Sequence, residues 1–260
     1  MTNVHRRCET GHRTDAGSTS RFELLAPCSA ATMRRWSHDL DNHSGHQEMS
    51  SASSRFSDEQ EPAWEIARLF PPQGHWSEGS YLSFTESLSQ LVELVDGRIE
   101  VPEMPTKSHQ KIVQYLLNLI VTFLAARHLG DAISAPYRMR LRDQTYREPD
   151  ILVYLTAHLS RFGERYGEAA DLVAEVVSDD AASRARDYQD KRRDYAEAGI
   201  PEYWIVDPVE RRILVLSLEG ASYSLFGEYS VGSVAESKIL PGFRADVDQV
   251  FQAGASPSQA

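Results

Sequence analysis

Residues 171–177 constrain the fold most strongly, because the run Asp-Leu-Val-Ala-Glu-Val-Val is apolar on both faces. A strand of this composition is typical of the centre of a sheet that is covered on both sides. Glu175 lies in the middle of the run, with Val173 and Val177 on its own face. Because burial of an unpaired carboxylate is costly, Glu175 must be protonated, paired or bound to a cation.

The other periodic segments predict a mixed α/β fold. Apolar residues recur every three or four positions over residues 107–128, which predicts a long helix packed on the sheet. An Asp-Gly pair between two apolar runs predicts a tight hairpin over residues 91–101. Further strands are predicted over residues 137–142, 151–155 and 203–206, a helix over 184–198, and a last hairpin over 212–226. This order predicts a mixed β-sheet flanked by helices, with an N-terminal and a C-terminal hairpin.

The chain divides into regions of different composition. Residues 1–60 are rich in serine and histidine and have no sustained periodicity, so we expect a disordered polar tail. The histidine spacings there match no familiar zinc pattern, which favours surface histidines over a metal site. We expect one folded domain over residues 61–252 and a short C-terminal tail over 253–260.

Charge and hydropathy exclude several classes of function. The net charge is −11, and residues 1–55 carry seven arginines and six acidic residues, so the acidic excess lies beyond them. An acidic body binds nucleic acid poorly without a local basic patch or bound cations. No apolar run is long enough for a membrane span, and the two cysteines imply no disulfide framework. The default expectation is a cytoplasmic protein without membrane contact.

A second acid opens another apolar strand. Asp150 immediately precedes residues 151–155, so if this strand lies beside residues 171–177, Asp150 and Glu175 point at one place. Neighbouring carboxylates repel each other, and a divalent cation relieves that repulsion at many functional sites. The alternative pairs each acid with an arginine, for which Arg138, Arg140 and Arg142 are available.

Lys191 is one of only four lysines and lies on the predicted helix between Tyr188 and Tyr195. At about 100° per residue, it falls near the stripe that those tyrosines mark as facing the sheet. A lysine there would orient a water beside a metal or, as the neutral amine, deprotonate it, for which an always-charged arginine is poorly suited. The alternative is a solvated lysine paired with Asp187 one helical turn away.

Four ordered segments resemble the Uma-type putative restriction endonuclease family of the PD-(D/E)XK nuclease superfamily. They are the sequences REPDILV from Arg147, DLVAEVVS from Asp171, RDYQDK from Arg186 and DYAEAGIPEYWIVDP from Asp194. The resemblance extends over residues 64–251 and implies a restriction-endonuclease-like core.

The resemblance implies catalytic roles for Asp150, Glu175 and Lys191. The superfamily motif places a lysine two residues after its second acid, where this chain has Val177, and the family supplies it from the next helix. Asp150, Glu175 and the Val176 carbonyl would bind Mg²⁺, with Mn²⁺ as an alternative.

Two further polar positions match the family. Glu93 is either a third acid near the metal or an exposed strand carboxylate. His109 either approaches a phosphate or orients Glu93, or it is a helix-start histidine with a local hydrogen bond.

The implied activity is Mg²⁺-dependent endonucleolytic hydrolysis of DNA. The positive side of residues 137–142 is expected to guide the DNA backbone, and the implied contacts are Arg138, Arg140, Arg142 and Arg147. The acidic whole predicts weak or partner-assisted DNA binding, and a homodimer would suit double-strand cleavage. The alternatives are a catalytically silent interaction module with the same fold and an RNA-directed metal-dependent nuclease.

Overall fold

The computed structural model describes residues 68–86, 88 and 90–255. The predicted tail over residues 1–60 lies outside this part of the chain, as do residues 256–260. The helices are α1 (Glu78–Thr85), α2 (Lys107–Arg127), α3 (Ala181–Ala185), α4 (Lys191–Glu197) and α5 (Val247–Gly254). The strands are β1 (Glu93–Val95), β2 (Arg98–Glu100), β3 (Gly130–Ser134), β4 (Arg138–Arg142), β5 (Thr145–Arg147), β6 (Ile151–Leu155), β7 (Tyr166–Gly167), β8 (Leu172–Val176), β9 (Glu202–Asp207), β10 (Arg212–Glu219), β11 (Ser222–Ser230), β12 (Val234–Glu236) and β13 (Arg244–Asp246).

A six-stranded mixed sheet forms the centre of the described chain, in the order β11-β10-β9-β8-β6-β3. Strand β8 pairs antiparallel with β6 and parallel with β9, and every residue of β8 is buried. The prediction of a central strand here is confirmed. Since β8 is buried on both faces, any acid on it must find its partner inside the protein.

Helices cover the two faces of this sheet. On one face, Ile112, Leu116 and Ile120 of α2 pack in a core that includes Val153 and Trp204. The N-terminus of α2 is capped by the Thr106 side chain, which accepts from the backbone of His109 at 3.2 Å. The other face packs against Tyr195 of α4 and its surroundings. No helix of the described residues is both long and apolar enough to cross a membrane.

A second sheet, in the order β2-β1-β5-β4-β7, carries the predicted hairpin. Val95 pairs with Arg98, and the turn residues Asp96 and Gly97 have φ of 48° and 73°. Two successive positive φ angles are typical of the primed turn that Asp-Gly favours. This sheet packs on α1 around Tyr81.

The helix predicted over residues 184–198 is interrupted. A π-helical turn, Arg186–Asp190, separates α3 from α4. Such turns re-aim the side chains that follow them and are frequent at functional sites. Lys191 is the first residue of α4, directly after this turn.

At the C-terminal end, β10 and β11 form the expected hairpin, and α5 continues to Gly254, two residues beyond the predicted domain boundary.

Candidate active site

Strands β6 and β8 bring Asp150 and Glu175 to one end of the sheet. Ile151 pairs with Ala174, so Asp150 and Glu175 are the next residues outward on the two strands. The backbone N–H of Val176 donates to Asp150 Oδ2 at 2.7 Å, which fixes that carboxylate. Both acids line a cleft of about 40 Å³, together with His109, Glu148, Asp187 and Lys191. That volume holds about one to three water-sized groups.

Lys191 reaches this cleft from α4. Its Nζ lies 2.8 Å from Glu175 Oε1 and 3.2 Å from Asp187 Oδ1, and its side chain is 7% exposed. Burial lowers the pKa of Lys191, but the carboxylates of Glu175 and Asp187 outweigh it and hold the pKa above its usual value. These two contacts favour the ammonium form of Lys191 in the cleft.

Glu175 is surrounded by acids and by two donors. The Tyr195 hydroxyl donates to Glu175 Oε1 at 2.6 Å, the same oxygen that Lys191 contacts. Burial raises the pKa of the Glu175 carboxyl to about 7; Lys191 opposes the rise, and the charge of Asp150 adds to it. The cleft therefore carries more negative charge than Lys191 alone offsets.

His109 contacts Asp150, and not Glu93 as one reading of the sequence suggested. Its Nε2 lies 3.2 Å from Asp150 Oδ2. Burial lowers the pKa of His109, but the Asp150 carboxylate and the Val176 backbone raise it to a value above the usual one. His109 thus joins the N-terminal turn of α2 to the acid that begins β6.

Glu93 and Arg147 form a buried ion pair away from the cleft lining. Arg147 Nη1 lies 2.7 Å from Glu93 Oε2, and Nη2 lies 2.7 Å from Asp194 Oδ2. Glu93 Oε1 accepts from the backbone of Glu148 at 3.0 Å, so both its oxygens are occupied. Burial raises the pKa of Glu93, but Arg147 outweighs it and lowers the pKa to about 2. The DNA contact expected of Arg147 is corrected: its side chain is 1% exposed and holds the core together.

The arginines of β4 are also paired with acids. Arg138 Nε lies 3.2 Å from Glu148 Oε1, and Arg140 Nη2 lies 3.0 Å from Glu78 Oε1. Arg142 Nη2 lies 3.1 Å from Asp96 Oδ1. The positive face expected on this strand is therefore largely neutralised.

Glu148 is a site residue that the sequence reasoning missed. Its side chain is 3% exposed, and its Oε2 has no hydrogen-bond partner in the described chain. Burial raises the pKa of Glu148 to about 7; Arg138 opposes the rise and Glu93 adds to it. The sequence did carry one signal for it. Residues two apart in an extended segment share a side, and Glu148 precedes Asp150 by two, so its side chain is predicted on the side of Asp150.

The donor set fits a hard divalent cation. Within the described residues, no three His, Cys, Asp or Glu side chains are arranged as a ready-made metal group. The cleft nevertheless offers the carboxylates of Asp150 and Glu175, the Val176 backbone and the unpartnered Glu148 oxygen. Oxygen ligands of this kind, completed by water, suit Mg²⁺ or Mn²⁺. Burial raises the pKa values of Glu148 and Glu175, and the charges of neighbouring carboxylates add to both shifts.

Comparison with known proteins identifies the family and the fold of this chain. The family model Uma2, described as putative restriction endonuclease, matches residues 71–248, more than half of the chain. A crystal structure of a putative nuclease belonging to DUF820 from Anabaena variabilis ATCC 29413 is 18% identical, with a TM-score of 0.54 over 67% of this chain and 98% of that chain. At this identity the likeness shows the fold alone. No curated protein matches the chain. The predicted family, the nuclease-like fold and the classification as a putative endonuclease are confirmed.

Proposed function

This chain belongs to the Uma2 putative restriction endonuclease family, and from that premise we propose that it is a Mg²⁺-dependent endonuclease that hydrolyses phosphodiester bonds of DNA. The observation that carries the proposal is the convergence of Asp150, Glu175 and Lys191 in one cleft. Two neighbouring acids and one buried ammonium, contributed by two strands and a helix, suit chemistry at a negatively charged phosphate.

Asp150, Glu175 and the Val176 carbonyl are the groups that would hold the cation. When bound, a divalent cation lowers the pKa of a water and offsets charge on the phosphate. Mn²⁺ has the same preference for oxygen ligands and is the natural alternative.

The chain's own residues prepare the site for this reaction. Asp150 Oδ2 is held in place by two contacts: the Val176 N–H donates to it at 2.7 Å, and His109 Nε2 lies 3.2 Å from it. Tyr195 and Lys191 hold Glu175 through one of its oxygens. The Lys191 ammonium, which contacts Glu175 and Asp187, would stabilise negative charge that develops on the phosphate oxygens.

Plasmid nicking tests the proposal directly. Purified protein with Mg²⁺ or Mn²⁺ should nick supercoiled DNA, and Asp150→Asn should lower the rate at least about 100-fold while keeping an acceptor for the Val176 N–H. Asp171→Asn is the matched control, because Asp171 is a buried aspartate that accepts from the backbone of Leu155 at the other end of the strand pair. Nicking by Asp150→Asn at the wild-type rate would contradict the proposed site.

The same preparation separates the alternatives. Equal amounts of duplex DNA, single-stranded DNA and RNA of one sequence should be cleaved in that order of preference for a DNA enzyme. Cleavage of RNA alone would indicate an RNA-directed nuclease. Absence of cleavage together with no Mg²⁺-dependent rise in melting temperature would indicate a silent interaction module, since a bound cation stabilises the folded state by mass action.

A further inference from the structure

A groove of about 420 Å³ lies between the N-terminal half of α2 and the edge strand β3. Its apolar lining is formed by Val113 and Leu117. Its polar lining comprises two lysines, three amides and one hydroxyl, from Lys107, Lys111, Gln110, Gln114, Asn118 and Ser134. No acidic residue lines this groove, in a chain whose net charge is −11.

The two groove lysines differ from the arginines of β4. In the part of the chain that the structure describes, neither Lys107 nor Lys111 forms an ion pair, whereas Arg138, Arg140 and Arg142 are each paired with a carboxylate. Among the described residues, Lys111 Nζ donates to a neutral partner, Gln114 Oε1, at 3.2 Å. Both lysines are exposed, so the groove carries uncompensated positive charge at the protein surface.

Both walls of the groove belong to elements that also reach the candidate active site. On the strand side, Ser134 pairs with Ile151, and the next backbone N–H, that of Ala135, donates to the Asp150 carbonyl at 3.3 Å. On the helix side, α2 carries His109, whose Nε2 lies 3.2 Å from Asp150 Oδ2. The groove and the candidate active site are therefore built on the same helix, α2, and on the paired strands β3 and β6.

We propose that this groove binds the sugar-phosphate backbone of the DNA substrate beside the phosphodiester that is cleaved. Lys107 and Lys111 neutralise phosphates, and the amides of Gln110, Gln114 and Asn118 donate to phosphate and sugar oxygens. Contacts of this kind position a duplex without reading its sequence. The assignment rests on the proposed function, and it places on α2 the positive surface that the sequence suggested for β4.

Salt-dependent DNA binding tests the assignment. The complete chain, with EDTA to prevent cleavage, is titrated onto a fluorescein-labelled duplex between 50 and 200 mM KCl. The double variant Lys107→Gln/Lys111→Gln should bind about tenfold more weakly at the lowest salt, and its plot of log K against log salt should be shallower by about 1.8, since each phosphate contact contributes about 0.9. Both positions are exposed, so the double variant should fold, and its melting temperature verifies this.

The matched control is Arg192→Gln/Arg193→Gln, which changes net charge equally at α4. It should leave the salt dependence within error of wild type. The groove assignment would be overturned if both double variants lost the same DNA affinity, or if the lysine variant lost none. Either result would leave the cleft chemistry intact. A groove effect in a protein that shows no metal-dependent nicking would support the groove and overturn the proposed function instead.

Discussion

The hydroxyl of Tyr195 donates a 2.6 Å hydrogen bond to Oε1 of Glu175, the oxygen that also lies 2.8 Å from Lys191 Nζ. Two donors on one carboxylate oxygen fix the rotation of the carboxylate, so a cation in the cleft would meet a preorganised ligand. The contact joins the buried face of α4 to the central strand.

The variant Tyr195→Phe should weaken cation binding while preserving the fold. It removes a hydrogen bond to a charged group, which contributes roughly 1.5 to 3 kcal/mol, and keeps the ring that packs against Tyr203. We expect the Mn²⁺ dissociation constant, measured by isothermal titration calorimetry, to rise about tenfold. Tyr223→Phe is the control, because it removes a buried hydroxyl that donates to the Ile200 carbonyl at 2.7 Å. A purely structural role for Tyr195 would give both variants the same Mn²⁺ affinity.

The variant Glu148→Gln should leave metal-free stability level or higher and should impair cation binding. The buried Oε2 of Glu148 has no hydrogen-bond partner among the described residues, so removing the charge relieves repulsion with Glu93 when no cation is present. We expect the melting temperature in EDTA to stay level or rise, and the increase on adding 10 mM Mg²⁺ to shrink. Glu103→Gln removes a charge from an exposed residue of the same cleft and should change this response less. If Mg²⁺ raised the melting temperature of both variants by the same amount, Glu148 would act through its charge alone and would not bind the cation.

The variant Lys191→Met should destabilise the metal-free protein, because it leaves Glu175 and Asp187 buried without their ammonium. Removing one partner of a buried pair costs roughly 3 to 5 kcal/mol. Urea unfolding at pH 8 should show a loss of this order, and Mg²⁺ should restore part of it by supplying positive charge. Lys238→Met, at a half-exposed lysine remote from the cleft lining, should change stability little. An unchanged unfolding free energy for Lys191→Met would contradict the buried ion cluster.

The Glu93–Arg147 pair predicts acid lability. The folded-state pKa of Glu93 is lowered to about 2 from 4.5, so its stabilising effect is fully present above about pH 4.5 and is lost as the pH falls toward 2. Glu93→Gln should therefore be less stable than wild type by roughly 3 kcal/mol at pH 6, with the difference shrinking below pH 4.5. Urea unfolding between pH 2.5 and 6 measures this. A difference that does not depend on pH would indicate a packing defect in place of a lost ion pair.

The sequence predicted the elements that rest on local pattern. The apolar run around Glu175, the period of α2 and the Asp-Gly turn each specify one kind of structure whatever surrounds them. Asp150, Glu175 and Lys191 were placed in one site by the resemblance and by strand adjacency, and the structure brings all three into one cleft. Glu148 was missed because an acid next to a proline carries no sign of its burial.

What the sequence determined by itself was the type of each element and the presence of charge inside an apolar strand, because both depend on neighbours along the chain. Only the tertiary structure decided which charges are compensated. It buried Arg147 against Glu93, paired the β4 arginines with acids, and left Lys107 and Lys111 unpaired in the described chain. The electrostatic energy of an ion pair falls with the distance between its charges, and that distance is set by folding for residues far apart in sequence. Which side chains remain charged and unpaired is therefore known only from the folded structure.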